Sequence, residues 1–292
     1  MKVLNFGSLN LDYVYTVDHI LMGGETQTST SMQIFPGGKG LNQSIALAKA
    51  GVEVYHAGQI GEDGQMLKDV CQENGVDARF VRPVSGRSGH TIIQVDKNAQ
   101  NCILLYPGAN RSISKEFMDE VLSFFDEGDI LLLQNEINDL PYLIDQAYGK
   151  GMRVMLNPSP FDAYLDACDM SKISLFLMNE IEGWQLTGEK EPEQILAKAK
   201  EKFPHSDILL TLGGDGSVYQ DNAGIYRQEI FPVKAVDTTA AGDTFTGYFI
   251  SSIIDGMDPK EGLRMAAKAA AIAVSRPGAA SSIPKKEEVL AS

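Results

Sequence analysis

Short apolar runs alternate with amphipathic segments along most of this 292-residue chain. The apolar runs have the length of single strands, and the clearest lie at residues 2–7, 52–60, 129–134, 153–157, 175–179 and 208–212. Helical periodicity separates or follows them at residues 41–50, 65–74, 114–126, 139–149, 192–203, 241–254 and 259–275. Strands covered on both faces are apolar along their whole length. The order therefore predicts a parallel sheet between two helix layers, a three-layer α/β/α core.

Two segments interrupt this alternation. Residues 11–35 are rich in Thr, Tyr and Val, and residues 88–106 resemble a hairpin that turns at 97–100. They predict a small β-sheet attached to the core. Such a sheet is a candidate lid over a site at the carboxyl ends of the core strands, although extra edge strands fit the pattern equally well. We expect one domain over residues 1–292, because the sequence contains no repeat and no low-complexity linker.

The composition excludes several classes of function. The chain has 25 Lys and Arg against 39 Asp and Glu, a formal net charge of −14, whereas a non-specific nucleic-acid binder needs clustered positive charge. No apolar run approaches the length of a membrane span, and the first residues lack the pattern of a signal peptide. Cys71, Cys102 and Cys168 form no metal-binding or disulfide pattern, which predicts buried, reduced thiols in a cytoplasmic protein.

The first motif with chemical content is Pro-Gly-Gly-Lys-Gly-Leu-Asn-Gln at residues 36–43. Its three glycines precede a predicted helix and leave backbone N–H groups exposed where that helix begins. It is not a Walker A loop, because Gly40 follows Lys39 where that loop has Ser or Thr, and the chain contains no GxGxxG fingerprint. A glycine turn that caps a helix beside a surface lysine is the alternative interpretation.

The second motif is Val-Asp-Thr-Thr-Ala-Ala-Gly-Asp-Thr-Phe at residues 236–245. Its small residues run into a long predicted helix, so a phosphate can approach the N–H groups of the first turn. Asp243 would lie beside that phosphate, where a carboxylate can accept a hydroxyl proton. A plain helix-capping role for Asp243 is the alternative.

Together the two motifs resemble the signatures of the ribokinase-like carbohydrate kinase family, also called the PfkB family. Further strings of the family follow in its order at residues 7–12 (GSLNLD), 24–26 (GET), 107–110 (PGAN), 156–158 (LNP), 179–182 (NEIE) and 211–216 (TLGGDG). The resemblance therefore covers essentially the whole chain. It implies ATP-dependent phosphorylation of a primary hydroxyl of a small unphosphorylated sugar, with D-ribose favoured.

The resemblance also implies a role for individual residues. The sugar side would consist of Asn10, Asp12, Gly38, Lys39, Asn42 and Glu136, with Asn10 and Asp12 at the end of the first strand. Asp243 would be the general base. The backbone N–H groups of Ala241, Gly242 and Asp243 would bind the transferring phosphoryl group.

The nucleotide and metal sites follow from the same resemblance. Nucleotide contacts would come from Asn179, Thr211, Gly213, Gly216 and Ala240. Glu182 would act on Mg²⁺ through water, although Asn179 and Glu182 also have the spacing of a capping box. A monovalent cation, K⁺ in such enzymes, would be held near Asp237, Thr239, Ala273, Arg276, Gly278 and Ser282.

Several alternatives stay open from sequence. Fructose, 2-keto-3-deoxygluconate or a nucleoside would be substrates on the same fold, with Arg87 or Arg111 available for a carboxylate and aromatic residues such as Tyr13 for a base. A phosphorylated sugar is disfavoured, because Lys39 is the only Lys or Arg in residues 10–42. A non-catalytic sugar or nucleotide sensor would be expected to lose Asp243 or the glycines, which are present. Family analogy alone predicts a homodimer formed through the lid.

Overall fold

We describe the protein from a computed structural model, which defines residues 1–98 and 100–292. Over these residues the strands are β1 (Val3–Phe6), β2 (Asn10–Thr16), β3 (Ser31–Gly37), β4 (Val54–Ile60), β5 (Asp77–Pro83), β6 (Gly89–Val95), β7 (Asn101–Tyr106), β8 (Ile130–Gln134), β9 (Arg153–Asn157), β10 (Ile173–Asn179), β11 (Asp207–Thr211), β12 (Ser217–Gln220) and β13 (Ile225–Gln228). The helices are α1 (Lys39–Lys49), α2 (Gln65–Glu73), α3 (Lys115–Leu122), α4 (Leu140–Gly149), α5 (Glu180–Thr187), α6 (Pro192–Lys202), α7 (Ala241–Ile254), α8 (Pro259–Val274) and α9 (Lys286–Ala291).

The larger sheet has nine strands in the spatial order β13-β12-β11-β10-β9-β8-β1-β4-β5. In this spatial order, every pair of neighbouring strands from β11 through to β5 is parallel. The strands of this sheet that the sequence predicted all pair with one another in parallel, whereas β12 and β13, which it did not predict, pair antiparallel at one edge. These two strands are four residues each and join through a short turn, so no crossover helix is needed.

Two hydrophobic clusters cover the two faces of this sheet. In β1, Val3 packs into a cluster with helices α1, α7 and α8, whereas Leu4 and Phe6 pack into a second cluster with α3, α4 and α6. Each strand thus contributes apolar side chains to both faces, which explains why the strands read as continuous apolar runs. The structure confirms the predicted three-layer α/β/α core.

The smaller sheet has four strands in the order β3-β2-β6-β7. Its strands fall in and beside the two segments that interrupt the sequence pattern, and β2 pairs with β3 antiparallel and with β6 in parallel. Strand β7 is exposed along its whole length. The cysteine prediction needs one correction here: all three thiols are free, but Cys102 on β7 is exposed rather than buried.

The two sheets meet where the chain leaves β1. Residues 7–9 connect the carboxyl end of β1 to β2, so the smaller sheet begins at the edge where the parallel strands of the larger sheet end. Ligand sites in open α/β sheets form at that edge. Within residues 1–98 and 100–292, no helix has both the length and the apolar character to cross a membrane.

Candidate functional site

Asn10 and Asp12 lie on β2 of the smaller sheet, not at the end of the first strand as the sequence predicted. A neighbouring side chain orients each of them. Asn10 Oδ1 accepts a hydrogen bond from Asn110 Nδ2 at 2.7 Å, and Asp12 Oδ1 accepts one from Thr91 Oγ1 at 2.6 Å. Burial raises the pKa of Asp12 above its ordinary value, and the bond from Thr91 only partly offsets this effect.

Glu136 faces the amino end of α1 from the turn after β8. Its Oε2 accepts hydrogen bonds from the Ser8 hydroxyl and from the Lys39 backbone N–H, the latter at 3.1 Å. Burial raises the pKa of Glu136, and the positive charge of Lys39 opposes this shift. Gly38 precedes the helix with a φ of 97°, a backbone conformation that disfavours any residue with a side chain.

Lys39 lies among three carboxylates that come from distant parts of the chain. Burial alone would lower the pKa of Lys39, but the charges of Asp243, Glu136 and Glu182 outweigh burial and raise it. The side chain therefore stays an ammonium ion at neutral pH. The structure thus places one positive charge within electrostatic range of three predicted site residues.

Asp243 lies in the first turn of α7 and contacts α1 with both carboxylate oxygens. Asn42 Nδ2 donates to its Oδ2 at 3.1 Å, and Gln43 Nε2 donates to its Oδ1 at 2.9 Å. Asn42 Oδ1 is buried and has no hydrogen-bond partner among the described residues. A buried acceptor without a hydrogen-bond partner is costly to the free energy of folding.

The amino end of α7 presents backbone N–H groups. Ala240 precedes the helix with a φ of 59°, and the first intrahelical bond runs from Thr244 N to Ala240 O at 2.8 Å. The N–H groups of Gly242 and Asp243 come before that bond and point out of the helix end. Ala241 N instead donates to Thr238 O at 3.3 Å. Of the three backbone N–H groups predicted to bind phosphate, those of Gly242 and Asp243 therefore make no hydrogen bond within this turn.

A cavity of about 390 Å³ lies beside the same helix end. Its lining includes the helix start at Ala241 and Gly242 and the loop residues Thr211, Gly213 and Gly216. Most of the other lining side chains are apolar, among them Phe231, Val233, Phe245, Ala267, Ala271 and Val274. Apolar walls next to a helix N-terminus suit a nucleotide, because a base can pack on the apolar side chains while its phosphates face the N–H groups.

Of the other predicted nucleotide residues, Asn179 and Ala240 do not line this cavity in the part of the chain that the structure describes. Asn179 and Glu182 form a capping box at the start of α5. Asn179 Oδ1 accepts from Glu182 N at 2.9 Å, and Glu182 Oε2 accepts from Asn179 N at 3.0 Å. The capping interpretation is therefore correct, and Glu182 still acts on the charge of Lys39.

The predicted cation residues lie where the segment before α7 meets the turn after α8. Asp237 Oδ1 accepts from Thr239 N at 2.9 Å, and Oδ2 accepts from Gly278 N at 3.0 Å. Burial would raise the pKa of Asp237, but these hydrogen bonds outweigh it and lower the pKa. Arg276 N donates to Ala273 O in the turn after α8, and Ser282 is buried and donates to Ala279 O.

The family profile described as pfkB family carbohydrate kinase matches residues 1–286. The chain belongs to this family. It is 36% identical to the ribokinase of Haemophilus influenzae over 97% of this chain and 95% of that protein.

Solved structures of the same family agree with this assignment. The structure of a ribokinase from Thermotoga maritima matches with a TM-score of 0.87 and 36% identity, and the match covers 99% of this chain and 97% of that ribokinase. An Arabidopsis thaliana ribokinase complexed with ribose and ATP has a TM-score of 0.86 and 30% identity, with 99% and 97% coverage. The fold and the pfkB family assignment therefore rest on both sequence and structure.

Sequence reasoning missed the side chains that orient the predicted pfkB site residues. Thr91 and Asn110 hold Asp12 and Asn10, and Gln43 holds Asp243. Gln43 and Asn110 stand inside strings that resemble the family, which is the one signal that could have marked them. Thr91 has no such signal, because its contact depends on the parallel pairing of β2 with β6.

Proposed function

We propose that this protein is an ATP-dependent kinase that transfers the γ-phosphoryl group of ATP to the primary hydroxyl of D-ribose. The observation that carries the proposal is the position of Asp243, a carboxylate at a helix N-terminus between the 390 Å³ cavity and the polar cluster around Lys39. The relatives named ribokinase, one of them complexed with ribose and ATP, support the choice of substrates.

Ribose binds in this proposal among the residues that the resemblance assigned to the sugar. Asn10, Asp12, Lys39, Asn42 and Glu136 offer donors and acceptors in fixed directions, which a polyol requires. Their orientation by neighbouring side chains supports the assignment, since a preorganised site pays less entropy when it binds.

Asp243 then acts as the general base. It accepts the proton of the primary hydroxyl and directs the oxygen toward the γ-phosphorus in line with the leaving ADP. The N–H groups of Gly242 and Asp243 stabilise the charge on the transferring group, together with the helix dipole. Lys39 adds a positive charge that burial makes more effective.

Two metal ions complete the proposal. Mg²⁺ suits the phosphates and the carboxylate of Glu182, because it keeps several waters and needs few protein ligands; when bound, it neutralises phosphate charge. K⁺ suits Asp237, because each of its oxygens accepts one N–H and keeps further lone pairs. We assign K⁺ a structural role in the loop before α7.

The smaller sheet serves as the lid and as the dimer interface. It carries Asp12, so its position relative to the core sets how completely the sugar is enclosed, and enclosure excludes the water that would otherwise hydrolyse ATP. Exposed apolar side chains on β3, β6 and β7 support a homodimer through this sheet. The free thiols suit a reducing, cytoplasmic compartment.

A coupled ADP-release assay tests this function. ATP, Mg²⁺ and K⁺ are supplied with ribose, fructose, tagatose, 2-keto-3-deoxygluconate or adenosine, and ³¹P NMR identifies the product. We expect the highest kcat/KM with ribose and a phosphomonoester at its primary carbon. A higher kcat/KM with 2-keto-3-deoxygluconate would make that sugar acid the preferred substrate. It would also implicate Arg111 in binding the carboxylate, because Arg111 lines a small cavity with Asn10 and Glu136. No turnover with any acceptor would refute the proposal in favour of a sensor.

A further inference from the structure

Gln43 contacts the proposed base, yet the mechanism above gives it no role. It follows Asn42 on α1, its side chain is buried, and its Nε2 donates to Asp243 Oδ1 at 2.9 Å. Asn42 donates to the other oxygen, Oδ2, at 3.1 Å. The carboxylate is thus held from two sides by consecutive residues of one helix, and only one of them is expected to contact the sugar.

The Gln43 side chain is in turn held by a buried chain of amides. Its Oε1 accepts from Gln134 Nε2 at 2.7 Å, and Gln134 Nε2 also donates to Asn5 Oδ1 at 3.0 Å. Asn5 Nδ2 donates to the backbone carbonyl of Gly40 at 2.8 Å. The three amides come from β1, α1 and β8, and all are buried.

One backbone carbonyl fixes the direction of every bond in this chain. Gly40 O can only accept, so the Asn5 amide must turn its nitrogen to Gly40 and its oxygen to Gln134. Gln134 must then offer its nitrogen to Asn5 and to Gln43 Oε1. The Gln43 amide is left with its nitrogen facing Asp243. If it were flipped, its oxygen would face the Asp243 carboxylate and its nitrogen would face Gln134 Nε2, and neither contact could form a hydrogen bond.

The chain of buried amides contains no group that titrates near neutral pH. A side branch runs from Asn5 to Ser44 and on to His56 Nδ1, both at 2.8 Å, and burial lowers the pKa of His56 to about 4. His56 is therefore neutral under working conditions. The network can orient Asp243, but it cannot take over the proton that Asp243 accepts.

We propose that Gln43 is a positioning residue for phosphoryl transfer, held as a hydrogen-bond donor by Gln134 and Asn5. With Oδ1 of Asp243 tied to Gln43, the carboxylate cannot rotate, and its remaining lone pairs keep one direction toward the acceptor hydroxyl. Small errors in that direction slow the chemical step strongly, whereas they leave substrate binding almost unchanged. The inference rests on the proposed role of Asp243 as general base.

The test compares Gln43→Met, which keeps the length but removes the donor, with Gln43→Asn, which keeps the amide but cannot reach Asp243. We expect the single-turnover rate to fall about 10- to 100-fold in both, with the KM values for ribose and ATP within about threefold of wild type. Gln134→Met should show a smaller loss of about 3- to 10-fold with the same unchanged KM values, because it frees the Gln43 amide to flip.

Ser44→Ala is the matched control. Ser44 follows Gln43 on the same helix and is equally buried, but it lies on the side branch, and Gly40 O still orients Asn5 without it. Its single-turnover rate should stay within about twofold of wild type. An equal loss in Ser44→Ala would mean that general packing of the network sets the rate, and this outcome would overturn the inference.

The remaining outcomes separate this inference from the proposed function. Folded Gln43 variants that keep the single-turnover rate within about threefold, or that raise KM at an unchanged rate, overturn the role of Gln43 and leave the kinase standing. Wild-type protein without turnover on any sugar overturns both. Thermal melting of each variant shows whether it is folded. If Gln43→Met does not fold, Gln43→Asn decides the test, because Asn is shorter than the wild-type Gln by only one methylene.

Discussion

At the scale of single residues, the site keeps carboxylates that burial disfavours. Burial raises the pKa of Asp12 and of Glu136, which means that folding costs more when these groups are charged. Such a cost is expected at functional positions, where stability is given up for a group that a ligand needs. This cost in folding stability can be measured by replacing the carboxylate with a neutral side chain of the same shape, because the replacement removes the buried charge.

Asp12→Asn should make the protein more stable at neutral pH and weaken its binding of sugar. The folded-state pKa of Asp12 lies above its ordinary value of 3.8, so its protonated form stabilises the fold below that pH, and this contribution is lost as pH rises through the folded pKa. We therefore expect the variant to melt about 1–3 °C higher at pH 7 and no higher than wild type below about pH 4.

The same variant should raise the KM for ribose at least about tenfold, because Asn replaces one acceptor oxygen of the carboxylate with a donor NH2 group. Scanning calorimetry across pH and steady-state kinetics measure the two effects. A lower melting temperature at pH 7 with an unchanged KM would contradict both the pKa argument and the sugar assignment. Thr91→Val is a useful comparison, since it removes only the hydrogen bond to Asp12.

The sequence nominates the proposed base but not the side chains that hold it. Asp243 stands in a recognisable motif at a predicted helix start, so local sequence is enough to nominate it. Gln43 contacts Gln134 and, through it, Asn5. Both residues are far from Gln43 in the sequence, and the pairing of β1 with β8 brings them together. Side-chain networks of this kind depend on register and packing, which periodicity does not determine.

At the scale of elements, the contact between α1 and α7 fixes the position of the Asp243 carboxylate. Asn42 and Gln43 lie on α1, Asp243 lies on α7, and the two helices approach closely at Gly247. A Cβ at Gly247 would lie 2.4 Å from the Cβ of Ala46. Gly247 therefore has a packing role that only the structure reveals.

Gly247→Ala should push the two helices apart. We expect a loss of about 1–3 kcal/mol in stability and a fall in kcat, because the bonds from α1 to Asp243 lengthen. Gly149→Ala is the control: Gly149 lies exposed at the end of α4 with nothing within 4 Å of an added Cβ, so it should be neutral or slightly stabilising. Unchanged melting and kcat in Gly247→Ala would refute the packing argument.

Element type was largely predictable, and the misses have a common cause. The span 241–254 agrees with α7, and 153–157 agrees with β9, because long amphipathic and short apolar patterns are strong signals. The strands β12 and β13 were missed, since four residues of mixed polarity carry little periodicity. Strand β5 was missed for the same reason, as its polar ends hide a short apolar centre.

At the scale of the whole molecule, the smaller sheet leaves an apolar surface exposed. Leu104 on β7 is 67% exposed, and Ile92 on β6 and Met32 on β3 lie on the same face of the sheet and are exposed as well. Apolar patches of this kind on a sheet favour association with a second copy. The homodimer proposal therefore makes a direct prediction about mass in solution.

Light scattering should give the mass of a dimer for wild type, twice 31.7 kDa, and the mass of a monomer for Leu104→Glu, because a buried charge without a partner disfavours the interface. Leu290→Glu is the matched control, since Leu290 is 66% exposed on α9, away from the smaller sheet, and the dimer should persist. A monomeric wild type at tens of micromolar (~10–50 μM) would contradict the dimer and leave the catalytic proposal intact.

The central claim is that Asp243 takes the hydroxyl proton during phosphoryl transfer to ribose. Its most direct test is the kcat of Asp243→Asn in the ADP-release assay with saturating ribose, ATP, Mg²⁺ and K⁺. Asn preserves size and a hydrogen-bonding oxygen but is not a base, so we expect kcat to fall by about 10²–10⁴-fold while the KM for ribose changes little. A kcat within about tenfold of wild type would contradict the account, because another group would then have to accept the proton.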